Sequence, residues 1–310
     1  MKRQVAPEQP TLSRRRFLRI GCRTLLGLTL MAALPPLYAA QVEPDWLDLE
    51  RVRLPLAGWP AALDGFTLAQ LTDLHVGGAA ALERVERAVS LVNEVRPDLV
   101  VLTGDYVTST TAYAPQMAAR LSRLRAPYGV YAVLGNHDVW TDLDPGILEG
   151  EGITVLRDEG VEIAVEGISL SLVGVEDVGY TGFSGLFGTD SFPTFRRHWE
   201  PARERLAALL ADLPQDAPRI LLVHNPDFTE MLASGWADLA LCGHTHGGQV
   251  RLPLLGAPFV PSCLGQTFVS GLVEGTYVPV YVSRGVGSIS PAVRFNCRPE
   301  VTLLSLEGSA

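Results

Sequence analysis

The hydrophobic and polar positions of this 310-residue chain change period from block to block. Phe66 to Leu71 reads as a strand that breaks at Asp73. Leu82, Val85, Val89 and Val92 then recur at helical spacing within Ala79 to Pro97, and the proline follows the helix end. "DLVVLTGDYV" is a continuous apolar run closing in Gly104-Asp105, Pro115 to Arg125 predicts a second helix, and "GVYAVLGNHD" is a third strand. Strand, helix, strand, helix, strand is the order of a parallel βαβ arrangement.

The middle of the chain changes character. "ITVLRDEGVEIAVEGISLSLVGVED" alternates apolar and polar residues, predicting antiparallel hairpins with turns at Glu159-Gly160 and Glu166-Gly167. Val178 to Phe192 is rich in glycine and aromatic residues and reads as a long surface loop. A helix over about Pro201 to Leu213 follows. After it come the strand "RILLVHNPD", a short helix near Phe228 to Ala233, and a strand ending at Cys242. "VPVYVSRGVG" and "EVTLLSLEG" supply late strands, so residues 41–310 read as one α/β domain with no internal linker after residue 50.

Charge divides the chain. Formal net charge is -9, yet the first forty residues hold seven basic side chains and one acid, leaving about -15 on the rest. An acidic body of that kind argues against binding nucleic acid through phosphate contacts. "SRRRFLRIG" (Ser13 to Gly21) resembles a twin-arginine export motif, with Arg14-Arg15 as the pair, and an apolar stretch from Leu25 to Ala40 follows. That stretch is shorter than the ~20 residues of a spanning helix. The small residue expected before a cleavage point is replaced by Tyr38 or Leu37. Residues 1–40 are therefore a twin-arginine signal peptide or an N-terminal anchor. The expectation is an exported protein, in the periplasm or on the outer face of the cytoplasmic membrane, with the twin-arginine machinery as a partner. Of four cysteines, Cys242, Cys263 and Cys297 lie in the body. No framework follows from an odd number, and whether Cys263 and Cys297 pair is left open.

Candidate chemistry collects at the strand ends. Five apolar strands each end in a polar cluster: Asp73-Leu74-His75, Gly104-Asp105, Gly135-Asn136-His137-Asp138, His224-Asn225 and Gly243-His244-Thr245-His246. Five of the six histidines fall in these clusters, and only His198 does not. Taken singly, each cluster has a plain reading as a turn, a helix cap or a satisfied strand-end histidine. Taken together, parallel strands bring them to one rim, where open α/β sheets bind their ligands. In extended chain Cys242, His244 and His246 would also share a face, which raises a Cys-His-His zinc site as one reading.

The series DLH, GD, GNHD, a lone His and GHTH resembles the calcineurin-like metallophosphoesterase superfamily. "HNPD", "GHTHGGQVRLP" and "SRGVGSISPAVRFNCRPE" resemble its bacterial exported or membrane-attached branch. The resemblance runs from about Leu54 to Leu306. It implies a two-layered αββα sandwich with two divalent metal ions, Mn, Zn or Fe, at the C-terminal ends of the strands. It further implies that Asp73, His75 and His246 hold the first ion and Asn136, His224 and His244 the second, with Asp105 bridging. The implied activity is phosphodiester or pyrophosphate hydrolysis by a metal-bridged hydroxide, His137 acting as general acid and Asp138 orienting it. Cys242 is then a buried strand-end residue rather than a ligand.

Two positions depart from the family pattern. Thr108 stands where a second acid often follows the bridging aspartate. Tyr106 is one residue after Asp105, not three, so no iron–tyrosinate centre is expected. An envelope location fits a lipid-linked phosphoester substrate, and the loop around Phe183 and Phe187 would form an apolar lip. The contrasting reading is an envelope metal-binding protein of the same fold with little turnover. A closed structural zinc site is disfavoured by the carboxylate and amide donors.

Overall fold

Strands that are apolar at every position must be covered on both faces, and the computed structural model, which describes residue 15 and residues 35–182, 184, 185 and 188–309, shows how. The first sheet holds β1 (Asp48–Ala57), β2 (Phe66–Leu71), β3 (Leu99–Thr103), β4 (Val130–Val133), β5 (Thr154–Val155) and β14 (Glu300–Ser309), in the order β1-β14-β2-β3-β4-β5. The second holds β6 (Glu159–Val165), β7 (Ile168–Gly174), β10 (Arg219–Leu222), β11 (Leu239–Cys242), β12 (Gly271–Glu274) and β13 (Pro279–Val282), in the order β12-β13-β11-β10-β7-β6. Between β7 and β10, the short strands β8 (Ser184–Gly185) and β9 (Gly188–Thr189) pair with each other alone.

Period 2 persists inside the uniformly apolar strands. Leu99 and Val101 of β3 point into the space between the sheets, where they meet Leu170, Ile220 and Leu241. Val100 and Leu102 point the other way, into the core formed with Leu82, Val85, Val89 and Val92 of α2 (Ala79–Val95) and Met117 and Leu121 of α3 (Ala114–Leu121). Two short helices, α4 (Asn136–Trp140) and α5 (Gly146–Glu149), follow β4, and α5 adds Leu148 to the same core. In β10, Ile220 and Leu222 face the first sheet while Leu221 faces α6 (Phe192–Asp212). The layers are therefore helix, sheet, sheet, helix, and the expected αββα sandwich stands.

The parallel register sets the rim. Leu71 pairs with Leu102, Thr103 with Val133, and Leu222 with Leu241, so β2, β3, β4, β10 and β11 end at the same edge of their sheets. The loops that follow carry all five polar clusters.

Three expectations change. The helix expected to begin near Pro201 begins at Phe192, because Phe195 and Trp199 extend the buried stripe of Ala202, Leu206 and Leu210 by two turns. Pro201 lies within the helix, where it removes one backbone donor. Glu159-Gly160 opens β6 instead of turning; Asp158, at φ 55°, makes the turn, whereas Glu166-Gly167 turns between β6 and β7 as expected. The late strand "EVTLLSLEG" is inserted between β1 and β2, parallel to one and antiparallel to the other.

At the N-terminal side, residues 35–41 are helical (α1), and the carbonyl of Ala39 accepts from Arg294 N at 2.8 Å. Most of the stretch Ser13 to Gly21, together with Phe183 and Phe187, lies outside the described residues. Among the described residues no helix is long and apolar enough to cross a membrane.

Candidate metal centre

The site is assembled on unusual backbone. Asp73, His75, Asp105, His244 and His246 all have positive φ, between 46° and 71°. Bulky residues rarely take that conformation, and where they do it marks functional sites. Gly104 and Gly135 allow two of the loops to touch. A Cβ on Gly104 would lie 2.6 Å from Gly135 N and 2.8 Å from His224 Nδ1, and Gly104 also has φ +93°. Only glycine fits that approach.

Six side chains, those of Asp73, His75, Asp105, His224, His244 and His246, converge. His75 Nε2 lies 2.9 Å from His246 Nε2, 3.7 Å from Asp73 Oδ1 and 3.5 Å from Asp105 Oδ2. His246 Nε2 lies 3.2 Å from Asp73 Oδ1. Asp105, His224 and His244 form a second group of close ligand atoms, with His224 Nε2 at 3.1 Å from Asp105 Oδ2. Donor atoms on one ion with bonds of about 2.1 Å in tetrahedral array are roughly 3.4 Å apart, so these separations suit cations. Asp105 Oδ2 lies within reach of both groups.

Hydrogen bonding agrees with that use. His224 Nδ1 lies 2.6 Å from the Thr103 carbonyl, which can only accept, so Nδ1 carries a proton and Nε2 is the nitrogen that could serve a cation once its own proton is displaced. His224 Nε2, His244 Nε2 and Asn136 Oδ1 are buried with no hydrogen-bond partner. Buried polar atoms are normally paired, and a cation resolves all three at once. The set of imidazole, carboxylate and amide donors fits Mn, Zn or Fe. Cys242 is buried but not a member of either group.

Electrostatics prepares the ligands. Burial opposes charge on Asp73, but the imidazoles of His246, His75 and His224 overcome it and hold its carboxyl well below the usual range. Asp105 behaves likewise under His224 and His75. Burial pushes His244 down to about 3 and His246 far below its ordinary value, so both rings are neutral. Burial also opposes a charge on His224, yet Asp105 raises that ring to about 10. Without a cation, Asp105 therefore keeps a proton at the place a metal would take.

His137 is placed beside the cluster, half-buried, edge-on to His75 and tilted against Trp140. Its backbone N–H donates to Asp105 Oδ1 at 2.8 Å. The expected contact with Asp138 is replaced: His137 Nδ1 donates to the Thr108 carbonyl at 2.6 Å. Asp138 accepts instead from Tyr106 N, Val107 N and Gly135 N, at 2.8, 3.2 and 2.9 Å. It is turned inward because those three N–H groups have no ladder partner at the strand ends. Asp138 thus positions the Asp105 loop. Thr108, in the sequence a departure from the family pattern, has a supporting role of its own: its hydroxyl donates to the His75 carbonyl at 2.9 Å, tying the two metal-side loops together.

The pairing left open for Cys263 and Cys297 is not formed. Cys263 Sγ contacts Asp227 Oδ2 and Cys297 Sγ contacts the His246 carbonyl. Arg294 is a second support invisible to motif reading. Fully buried, it donates to the carbonyls of Arg284, Gly285, Gly287 and Cys297 and fixes the loop under Asp73.

Residues 66–248 match the calcineurin-like phosphoesterase family. The chain belongs to that family and is a metal-dependent phosphoesterase. It is 35% identical over 301 residues to phosphodiesterase YaeI of Escherichia coli, covering 95% of this chain and 99% of that protein. It is 28% identical to the uncharacterized metallophosphoesterase YkuE of Bacillus subtilis, over 96% and 99% of the two chains. Among solved structures it is similar to TT1561 of Thermus thermophilus, with TM-score 0.46 and 14% identity over 71% of this chain and 89% of that one.

Proposed function

We propose that the protein is a two-metal hydrolase of phosphodiester or pyrophosphate bonds acting at the cell envelope. The supporting observation is the place of Asp105 Oδ2, 3.5 Å from His75 Nε2 and 3.1 Å from His224 Nε2, as a carboxylate shared by two cations requires. Asp73, His75 and His246 would hold one divalent ion and Asn136, His224 and His244 the other, with Asp105 placed to serve both. Two such ions supply Lewis acidity to phosphoryl oxygens and lower the pKa of a water molecule. The chain's own residues do the rest. His137, its Nδ1 committed to Thr108, offers Nε2 to the leaving oxygen as a proton donor. Burial lowers the pKa of that ring, so its protonated form is a stronger acid but less populated near neutral pH. Asp138 and Thr108 keep the Asp105 and His75 loops in register.

The apolar N-terminal stretch and the twin-arginine-like pair support export and a membrane-side, lipid-linked substrate. The test is metal content of the full chain by mass spectrometry, with cleavage of a chromogenic phosphodiester before and after chelation. Two metals per chain and activity restored by Mn or Zn are the expected results. One metal per chain overturns the two-metal reading. Fractionation that leaves the protein in the cytoplasm overturns the envelope reading.

A further inference from the structure

The large apolar side chains that the described residues leave exposed are not scattered. Leu252, Leu254, Leu255 and Phe259 lie in one loop, Leu254 fully exposed and Leu255 70% exposed. Leu37, Val42 and Trp46 lie in one segment that spans the end of the apolar N-terminal stretch. Seven of ten such residues thus fall in two short pieces of chain. Those pieces are neighbours: Tyr38 and Pro253 line the same cavity, together with Phe295 and Arg298.

Folding alone does not account for the loop. Leu254 has φ +69°, a conformation in which glycine or asparagine is the default. A leucine there is strained and gains no burial. The loop is also rigid, because Leu252 N donates to the Gly256 carbonyl at 2.8 Å and Gly256 N to the Leu252 carbonyl at 3.0 Å. Its leucines are therefore held out from the surface. On the neighbouring segment, Arg298 stacks 3.7 Å over the ring of Trp46. Tryptophan with a cationic neighbour is the pair that settles at a headgroup boundary. Finally, Phe259 lines an apolar cavity of about 280 Å³ with Pro261, Ile289 and Pro291, and His246 is in its wall.

We propose that residues 37–46 and 252–259 form one face that binds a lipid bilayer, with Leu254 and Leu255 inserted, and that the cavity from Phe259 to His246 admits the apolar part of a membrane-borne phosphoester. The inference extends the membrane-side reading above. Its test needs no turnover, so its failure and that of the two-metal reading are separately visible. A fluorophore sensitive to polarity is attached to Leu254→Cys in the full chain with Cys22→Ser and Cys263→Ser, and in parallel to Glu166→Cys on the β6–β7 turn. With phosphatidylcholine–phosphatidylglycerol vesicles, the label at 254 should shift to the blue and be quenched by lipid-borne quenchers, while that at 166 does not. Leu254→Glu with Leu255→Glu should retain the fold, since both side chains are exposed, and weaken vesicle partition at least roughly tenfold. A label at 254 that stays in water on vesicle-bound protein overturns the proposal, as does protein that binds no vesicles. Shielding of the label without vesicles also overturns it, as the mark of a second copy or of the chain's own N-terminal stretch on this face. Unchanged partition of the double variant overturns the role of the leucines.

Discussion

The Thr108 carbonyl accepts the Nδ1 proton of His137 at 2.6 Å, which leaves Nε2 as the ring nitrogen able to meet a reactant. The residue that orients the candidate acid is therefore a strand-end carbonyl, and the carboxylate next to it in sequence has another task.

That division separates two substitutions. His137→Ala should lower kcat on a chromogenic phosphodiester by about 10²–10⁴-fold while bound metal is unchanged. Asp138→Ala removes the acceptor of three backbone N–H groups around Asp105. It should lower metal occupancy as well as rate, and reduce stability by about 1–3 kcal/mol. Metal analysis of both purified variants distinguishes the roles.

Metal binding should be proton-linked. Asp105 raises His224 to about 10, so at neutral pH a cation must displace a proton from that ring. Affinity should rise with pH, by about tenfold per unit, until the ring's own pKa is passed. Calorimetry in buffers of different ionisation enthalpy should show about one proton released per chain from this residue. His224→Asn should abolish that release.

Asp177 carries a stability signature of its own. Burial pushes its carboxyl up to about 7, one oxygen accepts from Gly179 N, and Oδ2 has no hydrogen-bond partner. Below about pH 4 both folded and unfolded chains keep this proton. From about pH 4 to 7 the unfolded chain releases it first, so stability falls as pH rises, and above that the loss is complete. Asp177→Asn should shrink the fall in metal-free protein by up to about 4 kcal/mol. Urea titrations at pH 4, 6 and 8 read it directly.

Gly104→Ala places a methyl 2.6 Å from Gly135 N and 2.8 Å from His224 Nδ1 at positive φ. Destabilisation of about 2–4 kcal/mol is expected, with lowered metal occupancy from displacement of His224. Thermal melts with metal analysis check both. Gly58→Ala shares a positive φ but meets no atom, so it should be milder and leave metal content unaltered.

The site's donors were legible because chemistry and position coincide: carboxylates, an amide and imidazoles directly after apolar strands must meet at one rim. The layer order came with the family resemblance, and all-apolar strands that require cover on both faces are consistent with it. Asp138 was misread because adjacency in sequence to His137 does not give the direction of its side chain. The roles of Thr108 and Arg294 were illegible, although both positions were noticed, because their work is done on carbonyls, which every residue has. The early start of α6 was hidden by Pro193 and Pro201, whose local signal is outweighed by burial of Phe195 and Trp199. Nothing in the apolar pattern marks the leucines at 254 and 255 as exposed; only the fold shows it.

β14 has a consequence for the order of assembly. Its residues sit between β1 and β2, pairing Glu300 with Asp48 and Thr302 with Gln70. A ribosome delivers β1 and β2 first, but they cannot close against each other without β14, which follows every other described strand in the chain. Until that strand arrives, both present open edges, which are templates for pairing with other chains. Asp73 follows β2 directly, so its loop gains its final support only when the gap is filled. The protein should be least protected from aggregation after β1 and β2 have been made and before β14 joins them.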